Sequence, residues 1–467
     1  MSDVSSLSAA QMSAMFRQGE LSPVTAVEAV LSRMDACEPT LNAMYLIKAE
    51  QALAAARLSE QRWSRNQPLG PLDGVPVTIK ENIDTAGDPT PAGTAATDLT
   101  PRQADAPQAA RLAEAGCVLV GKTVMPDFGM LSAGLSSIHG RTHNPWNLER
   151  NTSGSSSGAG AAAAAGYGPL HLGTDIGGSV RLPATHCGLF GHKPSLGRIP
   201  VNPPFMGRAT GPMTRTVLDS AMLLEVLSRP DNRDWMSLPY QPEQYAEKLD
   251  QQSVKGLKIG VLTDMNCGLP VAPEVREATE AAATALEQAG AIVQPVDSFL
   301  TVEMLDGICR FFEARSYNDI VAMDDLTREK VLPFIIRWCT YRAGGFSGAD
   351  VMAAYMQVNA MREAAVSTTA RFDFMISPVS PILPFGVNEH APGDNPENAL
   401  PHIAFTVPYN MSEQPAASVN WTHTSDGLPV GVQVIGQRFD DLGVLQLSRQ
   451  LEQLRGEQQA WPRVVPG

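Results

Sequence analysis

Charge is scarce in this sequence, and what there is leans acidic: 18% of its 467 residues are Asp, Glu, Lys or Arg, and 35 basic against 49 acidic side chains leave a formal net charge of −14. A surplus of that sign repels nucleic-acid phosphates and anionic lipid headgroups, so neither a nucleic-acid nor a membrane partner is expected. Cysteine is sparse as well. The six copies, Cys37, Cys117, Cys187, Cys267, Cys309 and Cys339, form no C-x-x-C pair and no Cys/His cluster. That spacing excludes a disulfide framework and a zinc module and leaves them as buried thiols, with no metal and no cofactor expected. No window reaches the ~18 continuous apolar residues of a membrane span; the nearest, Ala161–Ala165, is short, small and flanked by glycine. The first residues, MSDVSSLSAAQMSAMF, carry an acid at position 3, no basic region and no apolar core, so no signal peptide and a cytoplasmic location are expected.

What the chain does have is apolar mass, 43% of its residues, enough for a packed globular core. Helix and strand signals alternate along it. Ser22 caps a helix with Pro23 in its first turn and Val24, Val27, Leu31 and Met34 at helical spacing up to Cys37. A second helix is expected from about Asn42 to Gln61, then a strand in Gly74-Val-Pro-Val-Thr-Ile-Lys80 that delivers Lys80 at its C-terminal end. Ala106–Gly116 reads as a helix and Cys117–Val120 as a strand. The same alternation returns later, with strands at Leu257–Leu262, Ala291–Val296, Phe372–Ser377 and Val430–Ile435 and helices at Pro273–Gly290 and Asp440–Leu454. This pattern implies an α/β fold with a mixed central sheet surrounded by helices. The length alone would allow about three domains, but the Pro-rich stretches near 196–213 and 379–401 are short and lie between apolar segments, so a single large domain over 1–467 is expected.

Two motifs are decoys. Gly116-Cys-Val-Leu-Val-Gly121-Lys122-Thr123 matches a phosphate-binding P-loop letter for letter, yet its middle is an apolar, partly β-branched run that belongs in a sheet rather than a loop. Gly154-Ser155-Ser156-Ser157-Gly158 matches a nucleophile elbow centred on Ser156, but polar loop residues precede it where a strand is required. A plain Ser/Gly/Ala linker over 153–166 is the bland alternative. A third pattern argues against it. In Gly173-Thr-Asp-Ile-Gly-Gly-Ser179-Val-Arg181-Leu-Pro183, paired glycines precede a serine at a helix start, where several backbone N–H groups can converge on one point. This is the composition of an oxyanion hole with a built-in nucleophile. No His or Asp in the right context to serve as base lies close in sequence.

Together, the Gly74–Lys80 strand with Glu81-Asn82, the serine-rich loop 153–158 and Thr174-Asp-Ile-Gly-Gly-Ser179-Val-Arg181-Leu-Pro resemble the amidase signature family, and Gly121–Phe128, Asn144–Asn147 and Gly427–Gly436 extend the resemblance over nearly the whole chain. It implies a Ser–cis-Ser–Lys triad in which Ser179 is the nucleophile, Lys80 the base and Ser155, after a cis peptide, the bridge. Counting back from Ser179 through Leu172, Pro169 and Gly166 favours Ser155, with Ser156 as the alternative. Ile176, Gly177 and Gly178 would supply oxyanion-hole N–H groups, with Ser179 a fourth candidate, and Asp175 and Arg181 would brace the loop. Two departures stand out: serines replace two glycines of the family loop, and Glu81 stands where many relatives carry Asp. Residues 1–70 would then be an N-terminal helical segment, 71–215 the catalytic core and 216–467 the pocket helices and remaining sheet.

A lysine acts as base only when neutral, which requires burial to bring it from about 10.4 down toward 7–8, roughly 3–5 kcal/mol of ammonium destabilisation. The expected function is hydrolysis of a small or medium amide, ester or carbamate (urethane) through an acyl-enzyme. The alternatives are the glutaminase subunit of a tRNA-dependent amidotransferase and a catalytically silent binding protein. Phe128–Ser137, Pro203–Arg208 and the Phe311-Phe312 to Trp338 region are expected to shape the pocket, although Phe311, Phe312 and Trp338 also suit a core. A homodimer is the common assembly for soluble enzymes of this kind.

Overall fold

A computed structural model describes residues 4–464. Its strands are β1 (Met44–Ile47), β2 (Pro76–Lys80), β3 (Val118–Thr123), β4 (Leu135–Ser136), β5 (Gly140–Arg141), β6 (Leu170–Asp175), β7 (Phe190–Lys193), β8 (Ala209–Thr214), β9 (Lys258–Val261), β10 (Ile292–Pro295), β11 (Phe374–Pro378), β12 (Ala416–His423) and β13 (Pro429–Ile435). Eleven of them form one sheet in the order β1-β3-β2-β6-β8-β7-β12-β13-β11-β9-β10, and β4 and β5 form a small separate hairpin. The sheet is mixed: β3, β2 and β6 run parallel, as do β11, β9 and β10, while every pairing from β6 through β8, β7, β12 and β13 to β11 is antiparallel. Neighbours in space come from distant parts of the chain, so this is one α/β domain with a large sheet flanked by helices.

Local chemistry accounts for the elements. The Pro23–Leu41 helix opens with Ser22 accepting from the Thr25 N–H at 3.1 Å and closes at Asn42, which takes the left-handed conformation. The second expected helix begins late. Met44–Ile47 is instead a strand, because this β-prone Met-Tyr-Leu-Ile run pairs with the free edge of β3, and the helix covers only Ala49–Ser64. Strand β2 is buried along its whole length, as a strand covered on both faces must be. Strands β6, β7, β8 and β12 carry little sequence signal; β8, Ala-Thr-Gly-Pro-Met-Thr, contains both Gly and Pro yet is wholly buried.

The decoys resolve in the sheet. Gly121, Lys122 and Thr123 are the last three residues of β3, and Lys122 Nζ donates to the Pro89 carbonyl at 3.4 Å. Their backbone serves the ladder to β1 and β2 rather than a phosphate. Residues 157–165 form a helix, Ser157–Ala165, buried at every position, so the linker alternative fails. No helix among the described residues is long and apolar enough to cross a membrane.

Candidate active site

Parallel neighbours β2 and β6 end side by side, at Lys80 and Asp175, on the edge where ligands gather in sheets of this kind. Three hydroxyls surround the Lys80 amine: Nζ donates to Ser155 Oγ at 2.8 Å, Thr174 Oγ1 at 3.0 Å and Ser156 Oγ at 3.2 Å. The lysine is fully buried. Burial pushes its pKa down to about 7 against the opposing charges of Glu81 and Asp175, with Arg208 lowering it further. A neutral amine has two N–H donors and one lone pair, which matches three hydroxyl neighbours when one of them donates back.

Ser155 and Ser156 differ in what their hydroxyls already do. Ser156 Oγ donates to the Thr174 carbonyl at 3.2 Å and accepts from the Thr174 N–H at the same distance, which ties it to β6. Gly173 is required there, because a Cβ would lie 2.6 Å from Ser156 Oγ. Among the described residues Ser155, after the cis Gly154–Ser155 peptide, makes no side-chain hydrogen bond except to Lys80. It lines one cavity with Thr174, Ile176 and Ser179, and Ser156 does not.

The loop between β6 and the Arg181–His186 helix is organised around Asp175. Its carboxylate accepts from the Gly178 N–H at 2.8 Å, the Val180 N–H at 3.1 Å, the Arg181 guanidinium at 3.0 and 3.1 Å and Asn410 Nδ2 at 2.8 Å. Burial alone would raise this carboxyl, but the Arg181 charge and the Asn410 bond hold it well below the usual carboxylate range. Arg181 is itself fully buried and donates onward to Asn410 Oδ1 (2.6 Å), Gln433 Oε1 (2.7 Å) and the Thr406 carbonyl (3.0 Å). Thr406 Oγ1 donates to the Gly177 carbonyl at 2.6 Å. Gly178 sits at φ +125, with Thr406 Oγ1 only 2.5 Å from where a Cβ would stand, so no other residue fits.

This bracing separates the expected oxyanion donors. The Gly178 N–H is engaged by Asp175, whereas among the described residues those of Ile176, Gly177 and Ser179 have no acceptor within the protein. The Arg181–His186 helix has only six residues, so fixed N–H groups rather than a long helix dipole give this loop its positive end. Ser179 is 8% exposed and opens onto the cavity. The cavity continues into an apolar pocket lined by Phe128, Met130, Leu131, Phe312, Trp338 and Ile403. Residues of Phe128–Ser137 and of the Phe311-Phe312 to Trp338 region line this pocket, and Arg208, from the second expected segment, lines the adjoining cavity.

Sequence reasoning passes over Thr174, Thr406, Asn410 and Gln433, although all four lie in stretches with visible motif character. It does not single out Arg208 or Arg315 either. With the geometry in view, comparison with known proteins decides the family: the amidase family model matches residues 25–445. The chain belongs to the amidase signature family. It is similar to a glutamyl-tRNA(Gln) amidotransferase component, the one lettered A, from Alkalilimnicola ehrlichii, at 32% identity over 484 aligned positions covering 98% of each chain. It is also similar to an acylamidase of Rhodococcus erythropolis, at 33% identity over 467 positions covering 96% of this chain and 95% of the relative. Among solved structures, a bacterial aryl acylamidase of the amidase signature family superposes with a TM-score of 0.88 at 28% identity over 96% of both chains. A 6-aminohexanoate cyclic dimer hydrolase complexed with substrate gives 0.86 at 28% over 99% of both. Amidase signature hydrolases act on amides, and this chain is one of that family.

Proposed function

We propose that the chain is a stand-alone amide hydrolase that works through an acyl-enzyme on Ser179. The observation that carries the reading is the buried Lys80 amine 2.8 Å from the Oγ of Ser155, a serine that lines the same cavity as Ser179. Neutral Lys80 takes the Ser155 proton as Ser155 takes that of Ser179, and the Ser179 oxygen bonds to the substrate carbonyl carbon. The carbonyl oxygen, now an anion, is held by the free N–H groups of Ile176, Gly177 and Ser179, while Gly178 positions the turn. Collapse breaks the C–N bond, and the leaving amine takes its proton back from Lys80 through Ser155. Water then repeats the relay and releases the acid. The same steps serve esters and carbamates.

The glutaminase-subunit reading draws support from the amidotransferase relatives. The apolar lining at Phe128, Met130, Leu131, Phe312, Trp338 and Ile403 favours an apolar acyl or amine part instead. A serine-directed fluorophosphonate should label Ser179, located by peptide mass, and leave Ser155 and Ser156 unmodified. Labelling elsewhere, or none, rejects the mechanism. Turnover of anilides by the isolated chain, without glutaminase activity, separates the two readings.

A further inference from the structure

Two charged side chains in the Ser179 cavity have no task in the reaction just described. Arg208 directly precedes β8, and Arg315 lies in the Val302–Val321 helix. Both line the cavity with Ser155, Thr174 and Ser179, and Arg315 also borders the apolar pocket beside Phe312 and Trp338. Their guanidinium carbons stand over the same ring, that of Phe205, at 5.6 Å for Arg208 and 4.6 Å for Arg315. Among the described residues neither forms an ion pair, and the one side-chain hydrogen bond from either to the protein is Arg208 Nη1 donating to the Pro203 carbonyl at 3.0 Å.

No acid in the cavity answers these cations. The Asp175 carboxylate is taken up by Arg181, Asn410 and backbone N–H groups. Glu81 is engaged by His139 at 2.8 Å and the Met125 N–H at 3.0 Å. Asp319, one turn along the helix from Arg315, favours its charge without coming into ion-pair contact. Burial and the repulsion of Arg315 draw Arg208 down to about 10. Two like charges held half-buried without a counter-ion are costly, and an anion between them removes that cost. Stacking on an aromatic face leaves the planar edges of a guanidinium, with their paired N–H donors, free for a carboxylate. The Arg208 turn is also tied to the Ser179 loop, because Asn410 Nδ2, which holds Asp175, donates to the Gly207 carbonyl at 3.0 Å.

We propose that Arg208 and Arg315 form an anion subsite of the catalytic cavity, and that the substrate is an amide bearing a carboxylate, its apolar part lying along Phe312, Trp338 and Ile403. This rests on the acyl-enzyme reading for the position of the scissile bond. The carboxylate sits either on the amine side, as in an N-acyl amino acid, or on the acyl side, as in the half-amide of a dicarboxylic acid, and the test has an arm for each.

In the full-length Ser179→Ala chain, calorimetry would compare N-benzoylglycine with N-benzoylglycinamide, and succinanilate with butyranilide. At least one acid should bind tenfold or more tighter than its neutral partner. That preference should fall to threefold or less when Arg208→Gln or Arg315→Gln is added. A preference below tenfold in both pairs, or one that survives both arginine substitutions, overturns the subsite. The first comparison needs no arginine variant, so misfolding of either variant does not remove the test. Fluorophosphonate labelling of the unsubstituted chain keeps the two claims apart. Labelling at Ser179 without acid preference removes only the subsite; acid preference without labelling removes only the acyl-enzyme reading.

Discussion

In the proposed mechanism, the Lys80 side chain is where burial becomes reactivity. An ammonium ion cannot accept a proton, and desolvation brings this one to about 7, within reach of neutral pH, although two acids pull the other way. Activity should therefore rise with pH as Lys80 loses its proton, so kcat/KM for a neutral anilide should climb tenfold per pH unit below about 7 and level off above it. A pH–rate profile without that limb removes Lys80 as the base, and Lys80→Ala should lower kcat about a thousandfold or more. Stability follows the same group. Between about 7 and the ordinary value of 10.5, the unfolded chain holds a proton that the folded chain does not, so Lys80 makes stability increase with pH across that window. Lys193 is likewise lowered to about 7 and Lys122 to about 8 by burial, so melting curves report all three lysines. Only the rate profile isolates Lys80.

At the scale of elements, the Ser179 loop is held by a carboxylate rather than by the short helix after it. Asp175 ends β6, and its two oxygens gather the turn, the Arg181 side chain and Asn410 into one arrangement. Asp175→Asn would leave Arg181 buried without its counter-charge, at a cost of about 3–5 kcal/mol, and would release the Gly178 N–H. Urea melts should show that loss, and fluorophosphonate labelling of Ser179 should slow at least tenfold; an unchanged labelling rate would mean that the loop keeps its shape without the carboxylate. This element was half legible. Asp175, Ser179 and Arg181 fall within one short motif rich in glycine, and Lys80 stands at the end of a clear strand signal. Thr406, Asn410 and Gln433, which complete the same network, lie more than 200 residues further on, and nothing in their own stretches says that they meet Asp175 and Arg181. The second helix was expected too early for a related reason: the four-residue Met44–Ile47 run is too short to read as a strand by itself and becomes one by pairing with β3, which only the tertiary structure supplies.

At the scale of the molecule, the net charge of −14 and the Arg208–Arg315 pair point in opposite directions. An acidic protein repels an anionic substrate at long range, and the cavity would have to attract it at short range, where screening is weakest. The α/β class and mixed sheet were readable from alternating apolar segments. The strand order was not, because it joins elements far apart in the chain, as where β12 packs between β7 and β13. That order makes the C-terminal part indispensable. A chain ended after Leu400 lacks β12 and β13, which link the two halves of the sheet, and also lacks Asn410 and Gln433. It should show no fluorophosphonate labelling of Ser179, and labelling at the full-length rate would contradict this account of the loop.

The same links carry a consequence for synthesis. Lys80, Ser155 and Ser179 leave the ribosome well before Gln433, which anchors Arg181 from 252 positions further along the chain. The growing polypeptide thus carries the groups of the proposed triad through that whole interval without the framework that would align them, and that framework arrives only with β13.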